Sequence, residues 1–206
     1  MGLMSFTQQS QPVVNSAALA APVAKKKPSA SALYGSVSGG VVAVLGGGAT
    51  LLDDVKLLPK NCAKISVNQH AASVMPVDYA VCLDFDIAAK IREVSGCKII
   101  SQQNEADVDF VFTDEEKTDL CASFSSAIPA VLLAVKMGYK KVIVCGVDLY
   151  TSGKYFDGSD TPTKDMPETE THLDFWRGAK QALGKDAEKI KVMAASPLAA
   201  VFDSIN

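Results

Sequence analysis

Short apolar runs alternate with amphipathic stretches from Val41 onward. The runs are apolar at nearly every position, as in strands buried on both faces of a sheet. They predict strands over 41–45, 63–67, 79–83, 97–101, 109–112, 140–146 and 189–194. The stretches between them predict helices over 50–59, 87–94, 122–138, 171–183 and 196–202, with a turn and a short helix over 68–74.

Boundary residues support several of these helices. The hydroxyl of Thr50 is placed to cap the first, and the longest predicted helix, 122–138, has Pro129 near its start and Gly138 at its end. Strands that alternate with helices indicate a parallel sheet. We therefore predict an α/β fold, a single Rossmann-like domain with a mostly parallel sheet. Such sheets bind ligands beyond the carboxyl ends of their strands, so the loops there are the candidate site.

Residues 1–40 differ in composition from the remainder of the chain. They contain no acidic residue, one cluster of lysines at 25–27, and many Ala, Ser, Gln, Pro and Val residues. Such a stretch buries too little apolar surface to offset its ordering entropy. It predicts a low-complexity N-terminal arm, disordered or ordered by a partner, through which the chain could form a homo-oligomer or another assembly. The domain itself is predicted to span residues 41–206.

Charge and cysteine content exclude several classes of function. Residues 41–206 carry a net charge of −6, because the arm holds three lysines of a chain whose total is −3. This balance argues against nucleic acid as a partner, and no apolar run reaches membrane-spanning length. Five cysteines without CxxC spacing and two histidines predict neither a disulfide framework nor a zinc site. A reducing, cytoplasmic setting is expected for these cysteines: Cys62, Cys82, Cys97, Cys121 and Cys145.

Two loops after predicted strands carry candidate nucleotide contacts. In "LGGGATLL", Gly47 and Gly48 would let backbone amides approach a phosphate or ribose, although a tight strand-to-helix turn needs the same glycines. In "VNQHA", Asn68 could bind a ribose or base, or cap the next helix. We expect His70 to be a partly exposed surface residue.

The motif "LDFD" places Asp84 and Asp86 at the end of the third predicted strand. Alternate residues of an extended strand point the same way, so these carboxylates could share a divalent cation such as Mg²⁺. Capping of the following helix is the competing interpretation.

The stretch "CGVDLYTSGKYFDG" contributes Asp148, Tyr150 and Tyr155, and "THLDFW" contributes His172. Phenolic hydroxyls can donate to a leaving phosphate, and a histidine is the usual general base for an alcohol nucleophile. The competing interpretation is that the tyrosines cover the sheet edge and the histidine caps a helix.

The segment 126–156, "SAIPAVLLAVKMGYKKVIVCGVDLYTSGKYF", resembles the bacterial sialyltransferases of glycosyltransferase family 42. The resemblance continues with the isolated His172 and with "SPLA" at 196–199. It implies a metal-independent, inverting transfer of a sialic-acid-like sugar from a CMP donor to an acceptor hydroxyl. Tyr150 and Tyr155 would hold the leaving phosphate and His172 would take the acceptor proton. The implied nucleotide-binding residues are Gly47, Gly48, Asn68, Ser126 and Asp148.

Departures from that family leave two other functions open. The first loop has Ala49-Thr50 where the family has Pro-Ser, and Asp84 stands near the position where the family has an Asn that touches phosphate. "GGGATL" with "PVDYAVCLDFD" also resembles the archaeal pterin diphosphokinase-like proteins, which would imply a Mg²⁺-dependent enzyme. The remaining alternative is a degenerate, non-catalytic module, for example a phage virion component that assembles through residues 1–40.

Overall fold

One open parallel sheet forms the centre of the computed structural model, which describes residues 26–120, 125–162 and 168–205. Within these ranges the sheet has eight strands in the order β5-β4-β3-β2-β1-β6-β7-β8, every neighbouring pair parallel. The strands are β1 (Val41–Leu45), β2 (Ala63–Val67), β3 (Tyr79–Cys82), β4 (Lys98–Ser101), β5 (Phe110–Val111), β6 (Lys141–Cys145), β7 (Ile190–Met193) and β8 (Ser204–Ile205). The predicted α/β fold with a parallel sheet is confirmed.

Helical segments connect the strands. The α-helices are α1 (Leu51–Asp54), α2 (Ile87–Val94), α3 (Asp114–Leu120), α4 (Ala127–Met137) and α5 (Thr169–Leu183). Single 3₁₀ segments lie at Ala30–Leu33, Val55–Leu57, Ala71–Ser73, Gly184–Lys189 and Pro197–Ala200. No helix in the described ranges has both the length and the apolar character needed to cross a membrane.

Both faces of the sheet are covered. Along β1, Val42 and Val44 pack in the large core that includes α4, whereas Ala43 and Leu45 pack on the other face with Leu51 of α1. Side chains of a strand alternate between faces, so an unbroken apolar run is what two covered faces require. Strand β1 is therefore buried on both faces at the middle of the sheet.

Three local features differ from the sequence-based expectation. Thr50 makes no capping bond to the helix backbone; its hydroxyl donates instead to the Asp54 carboxylate at 3.0 Å. The longest helix in the described ranges is α5, with 15 residues; α4 has 11, and residues 122–124 of the helix predicted over 122–138 lie outside the described residues. Strand β8 was not predicted, because two residues carry too little pattern.

Part of the predicted arm belongs to the folded domain. Ala30 and Leu33 are buried in the main core, and the N–H groups of Gly35 and Val37 donate to carbonyls at the end of α4, both at 2.9 Å. Residues 26–40 are thus held by apolar contacts and by backbone hydrogen bonds. Residues 1–25 lie outside the described residues, so the expectation of a disordered or partner-ordered arm there stays a prediction.

Candidate functional site

The strand order reverses at β1, which lies between β2 and β6. In open α/β sheets such a reversal leaves a crevice at the carboxyl ends of the strands. A cavity of about 60 Å³ lies there. It is lined by Gly46, Gly47, Gly48, Val67, Asn68, His70, Ser125, Ala127, Gly146, Val147, Asp148, Leu149, Tyr150, Tyr155 and His172. Most of the residues singled out from sequence therefore share one cavity.

The three glycines after β1 are required by close packing of the protein itself. A Cβ at Gly47 would come within 2.6 Å of the ring of His70, and one at Gly48 would lie 2.7 Å from the carbonyl oxygen of Gly146. The N–H of Gly48 also donates to that carbonyl at 2.7 Å. The tight turn that competed with nucleotide contact as an interpretation of these glycines is therefore present.

A buried carboxylate anchors the loop that follows β6. Asp54 is 7% exposed, and its Oδ2 accepts from the N–H of Gly146 at 2.8 Å and from the Thr50 hydroxyl at 3.0 Å. Burial raises the pKa of Asp54, and these two hydrogen bonds oppose the rise. Sequence reasoning missed this residue, because an aspartate in a helix beside another aspartate resembles a solvated face.

Tyr150 is oriented by a turn in which two consecutive non-glycine residues adopt the left-handed conformation. Leu149 has φ +52° and Tyr150 has φ +63°, and residues other than glycine adopt such values at a cost. Asp148 supports the turn, since its Oδ1 accepts from the N–H of Tyr150 at 3.1 Å and its Oδ2 from the hydroxyl of Ser152 at 2.5 Å. Asp148 thus lines the cavity and also shapes the loop.

The second tyrosine is held against the glycine loop. Tyr155 forms an antiparallel bridge with Gly48, and the next N–H, that of Phe156, donates to the Gly47 carbonyl at 3.0 Å. The ring of Tyr155 stacks on that of His70, with centroids 4.3 Å apart and planes inclined by 29°. The loop after β6 is therefore tied to the loop after β1.

The third candidate, His172, approaches from α5. It is 3% exposed, its ring centroid lies 5.8 Å from that of Tyr150, and its Nε2 has no hydrogen-bond partner among the described residues. Its backbone N–H donates to Glu168 within the first turn of α5, so the predicted helix start is close to the observed one. The two tyrosines and this histidine meet at one cavity.

Burial governs the protonation of these three side chains. It raises the pKa of Tyr150 to about 12, with smaller contributions from Tyr155, Asp84 and Asp148, and it also raises the pKa of Tyr155. It lowers the pKa of His172. At neutral pH the phenols are therefore protonated donors, and the imidazole is a neutral acceptor.

Asn68 is the clearest candidate contact on β2. It lies in the left-handed region with φ +55°, its N–H continues the ladder to Val81 at 2.9 Å, and its side-chain Oδ1 is buried without a partner. A buried polar atom without a partner costs free energy, so such atoms commonly face a ligand or water. The side chain makes no helix cap.

Ser126 is placed differently from the other predicted residues. It does not line the cavity, and its Oγ accepts from the N–H of Leu83 at 3.2 Å, next to β3. Its neighbours Ser125 and Ala127 line the cavity instead. Ser126 joins α4 to the sheet, a role that a helix-start serine motif does not reveal.

Asp84 and Asp86 are exposed beyond β3, and Asp86 makes no side-chain cap to α2. The described residues contain no group of three or more His, Cys, Asp or Glu side chains arranged to hold a metal ion. Asp84 does act on the cavity, because its charge contributes to the raised pKa of both tyrosines. The four cysteines in the described ranges are buried and unpaired, and Cys121 lies outside them.

His70 was predicted to be a partly exposed surface residue, and the structure places it in the cavity, half-buried. It packs under Gly47 and against Tyr155. The available signal was its position two residues after Asn68, at the carboxyl end of a central strand.

Comparison with known proteins shows the fold. The chain resembles the sialyltransferase CstII from Campylobacter jejuni in complex with cytidine-5′-monophosphate (TM-score 0.56, 15% identity, 82% of this chain and 86% of that one). It also resembles CstII with CMP-3FNeuAc (0.52, 15%, 81% and 87%) and the monofunctional α-2,3-sialyltransferase Cst-I from the same organism (0.55, 14%, 80% and 79%). No family model and no curated protein matches the sequence. The chain has a sialyltransferase-like fold, and these structures lend no support to the pterin diphosphokinase relation.

Proposed function

We propose that this chain is a glycosyltransferase that binds a CMP-linked, sialic-acid-like sugar and transfers the sugar to an acceptor hydroxyl with inversion. One observation carries the proposal: Tyr150 and Tyr155 from the loop after β6 and His172 from α5 line one cavity where the strand order reverses. The fold shared with enzymes solved with CMP and CMP-3FNeuAc supports the choice of donor.

In this reaction His172 is the general base. The acceptor oxygen attacks the anomeric carbon while its proton passes to Nε2, which has no partner among the described residues. Burial lowers the pKa of His172, so the imidazole is neutral at physiological pH and able to take that proton.

The bond between the anomeric carbon and the phosphate oxygen breaks, and its electron pair leaves with CMP. Negative charge grows on the phosphate, and hydroxyl donors aimed at it stabilise the transition state more than the ground state. Tyr150 and Tyr155 supply those donors, because burial raises the pKa of both phenols and keeps them protonated.

The cavity must enlarge to admit a nucleotide, because ligand pockets for such molecules measure roughly 300–1,000 Å³ and this one about 60 Å³. We expect the segment 147–162 to move when the cavity opens. This segment covers the glycine loop and is joined to it by the hydrogen bond from the N–H of Phe156 to the carbonyl of Gly47. Once the cavity has opened, Oδ1 of Asn68 accepts from a ribose hydroxyl or the cytosine amine. Ser126 stays bound to Leu83 and acts by positioning α4.

Ligand-dependent stabilisation tests binding. The melting temperature of the full chain is followed while CMP, CDP, GTP and ATP are titrated, each with and without Mg²⁺, because a ligand that binds only the native state raises it. The proposal expects stabilisation that is selective for CMP and independent of Mg²⁺. A Mg²⁺-dependent response to ATP or GTP would instead favour the phosphotransferase alternative and the Asp84/Asp86 pair.

Catalysis is tested separately by CMP release from CMP-sialic acid, with and without candidate acceptor glycans. A second candidate function, a non-catalytic binding module, is favoured by the carboxylates of Asp84 and Asp148, which act on the phenols and would repel a phosphate. CMP binding without any release across acceptors would support that module. Absence of CMP binding would refute the transferase.

A further inference from the structure

His70 occupies a central place in the cavity that the catalytic scheme does not use. Its ring lies under Gly47 and stacks on Tyr155 at 4.3 Å, and Phe156 meets it edge-on at 6.5 Å. No described residue forms a hydrogen bond with either ring nitrogen of His70. The chain has two histidines, and both line this cavity.

The charges around the cavity are unusual for a site that receives a phosphate. In the described part of the chain the lining contains the carboxylate of Asp148 and no lysine or arginine, and the charge of Asp84 also reaches the tyrosines. Phosphate sites normally supply a cation or several N–H donors. Here His172 must stay neutral to act as a base, so among the described residues that line the cavity His70 is the one remaining side chain that can become cationic.

We propose that His70 takes up a proton when the nucleotide binds, and that its imidazolium donates a hydrogen bond to the phosphate. This inference rests on the proposed function and adds to it the group that balances the phosphate charge. In this step one proton moves from solvent to the imidazole of His70, and no covalent bond of the ligand changes.

The environment of His70 sets the direction of the pH dependence. Burial lowers the pKa of His70 in the ligand-free protein, and the nearby negative charge of Asp157 opposes that shift. The other titratable side chains of the cavity beside His70 are Tyr150, Tyr155 and Asp148, none of which is cationic. A bound phosphate adds negative charge and raises the pKa. Affinity should therefore rise as pH falls from the bound to the free pKa, by at most about tenfold per pH unit for one proton.

Titration calorimetry of the full chain tests this coupling. The ligand is the diester cytidine 5′-(methyl phosphate), because the second ionisation of CMP, near pH 6, would itself exchange protons. Binding is measured from about pH 5.5 to 8 in buffers that differ in ionisation enthalpy, which reports protons taken up per bound ligand. We expect uptake that approaches one proton near the middle of this range.

Variants locate the proton. His70→Phe keeps an aromatic ring on Tyr155 and His70→Asn keeps a donor, and neither can be charged. Both should lose the uptake and bind about tenfold more weakly at the acid end, with no change at the alkaline end, as expected for a charge-assisted hydrogen bond. An unfolding midpoint for each variant shows whether it is folded.

The outcomes separate this inference from the function on which it rests. Binding of the diester without proton uptake overturns the role of His70 and leaves the transferase intact. Uptake that survives in both His70 variants but disappears in His172→Gln assigns the proton to His172 and also overturns it. No binding of the diester or of CMP at any pH refutes the proposed function itself.

Discussion

The carboxylate of Asp54 accepts a hydrogen bond from the backbone N–H of Gly146 at 2.8 Å, which joins the end of α1 to the end of β6. The bond fixes the relative position of the two loops that carry the glycines and the tyrosines. Gly46 and Gly146 lie so close that a Cβ on Gly46 would overlap the Gly146 carbonyl oxygen. The geometry of the cavity therefore depends on a residue that does not line it.

Removing this carboxylate should destabilise the domain. Asp54→Ala leaves the buried N–H of Gly146 without an acceptor, which costs about 1–3 kcal/mol in the free energy of unfolding. Asp54→Asn can keep both bonds, because a single oxygen, Oδ2, accepts from Gly146 and Thr50. Urea unfolding measures both variants. Equal loss in Ala and Asn would contradict the assignment.

Comparison of the wild type with Asp54→Asn should also reveal a pH effect on stability. The pKa of Asp54 is raised in the folded state, so between its unfolded and folded values the native protein binds more protons. Stability therefore falls as pH rises from about 4 through the folded pKa. Asp54→Asn should lack this part of the decline, and a wild-type minus Asn difference that does not change with pH would argue against it.

Two adjacent glycines should respond differently to alanine. Gly46→Ala meets the backbone of Gly146 and should cost about 1–3 kcal/mol of unfolding free energy, since backbone yields little. Gly47→Ala meets the ring of His70 at its base, so the ring must move from its stacked position on Tyr155, and we expect weaker CMP binding in addition to a stability loss. Urea unfolding and CMP titration of both variants test this. CMP affinity unchanged in Gly47→Ala would contradict the placement of the nucleotide.

Loss of the general base should affect turnover more than binding. His172→Ala is expected to lower kcat by about 10²–10⁴-fold while the Kd for CMP changes little. Because burial lowers the pKa of His172, wild-type activity should rise with pH through that pKa and then level off. Asp174→Asn, on the exposed side of the same helix, is the matched control. Parallel losses of kcat and affinity would show a structural histidine.

Each phenol should contribute through its hydroxyl alone. Tyr150→Phe and Tyr155→Phe keep the rings and remove the donors, and each should lower kcat about 10–1,000-fold, as for a lost oxyanion donor. A pKa of about 12 for Tyr150 predicts no decline of activity from its ionisation below about pH 11. CMP release under saturating donor measures both effects. Wild-type rates in Tyr150→Phe would exclude it from catalysis.

Sequence pattern was most informative where one local signal determines structure. Strands β1 and β2 were predicted to the residue, because buried parallel strands are continuous apolar runs. The loops after β2 and β6 begin at the carboxyl ends of parallel strands, which is why Asn68, Tyr150 and Tyr155 could be assigned to one end of the sheet. His172 was singled out differently, by the chemistry of a histidine at a predicted helix start and by the family resemblance.

What sequence did not show depends on contacts between distant residues. The role of Asp54 requires knowing that α1 meets β6, and that of His70 requires knowing that the loop after β6 folds back over it. Ser126 was part of a family motif, yet its hydroxyl oxygen accepts a hydrogen bond from the backbone N–H of Leu83 and does not line the cavity. A single chain without aligned relatives carries no record of such pairings.

Residues before β1 close the outer edge of the sheet. Ser29 runs parallel to Val111, the carbonyl of Pro28 accepts from the N–H of Val111 at 2.9 Å, and Lys27 reaches the carbonyl of Ala106 at 3.0 Å. A bare edge invites a strand from a neighbouring molecule. A polypeptide shortened to begin at Val41 would uncover that template and the apolar hollow filled by Leu33, and so would be prone to aggregate before its chemistry could be assayed.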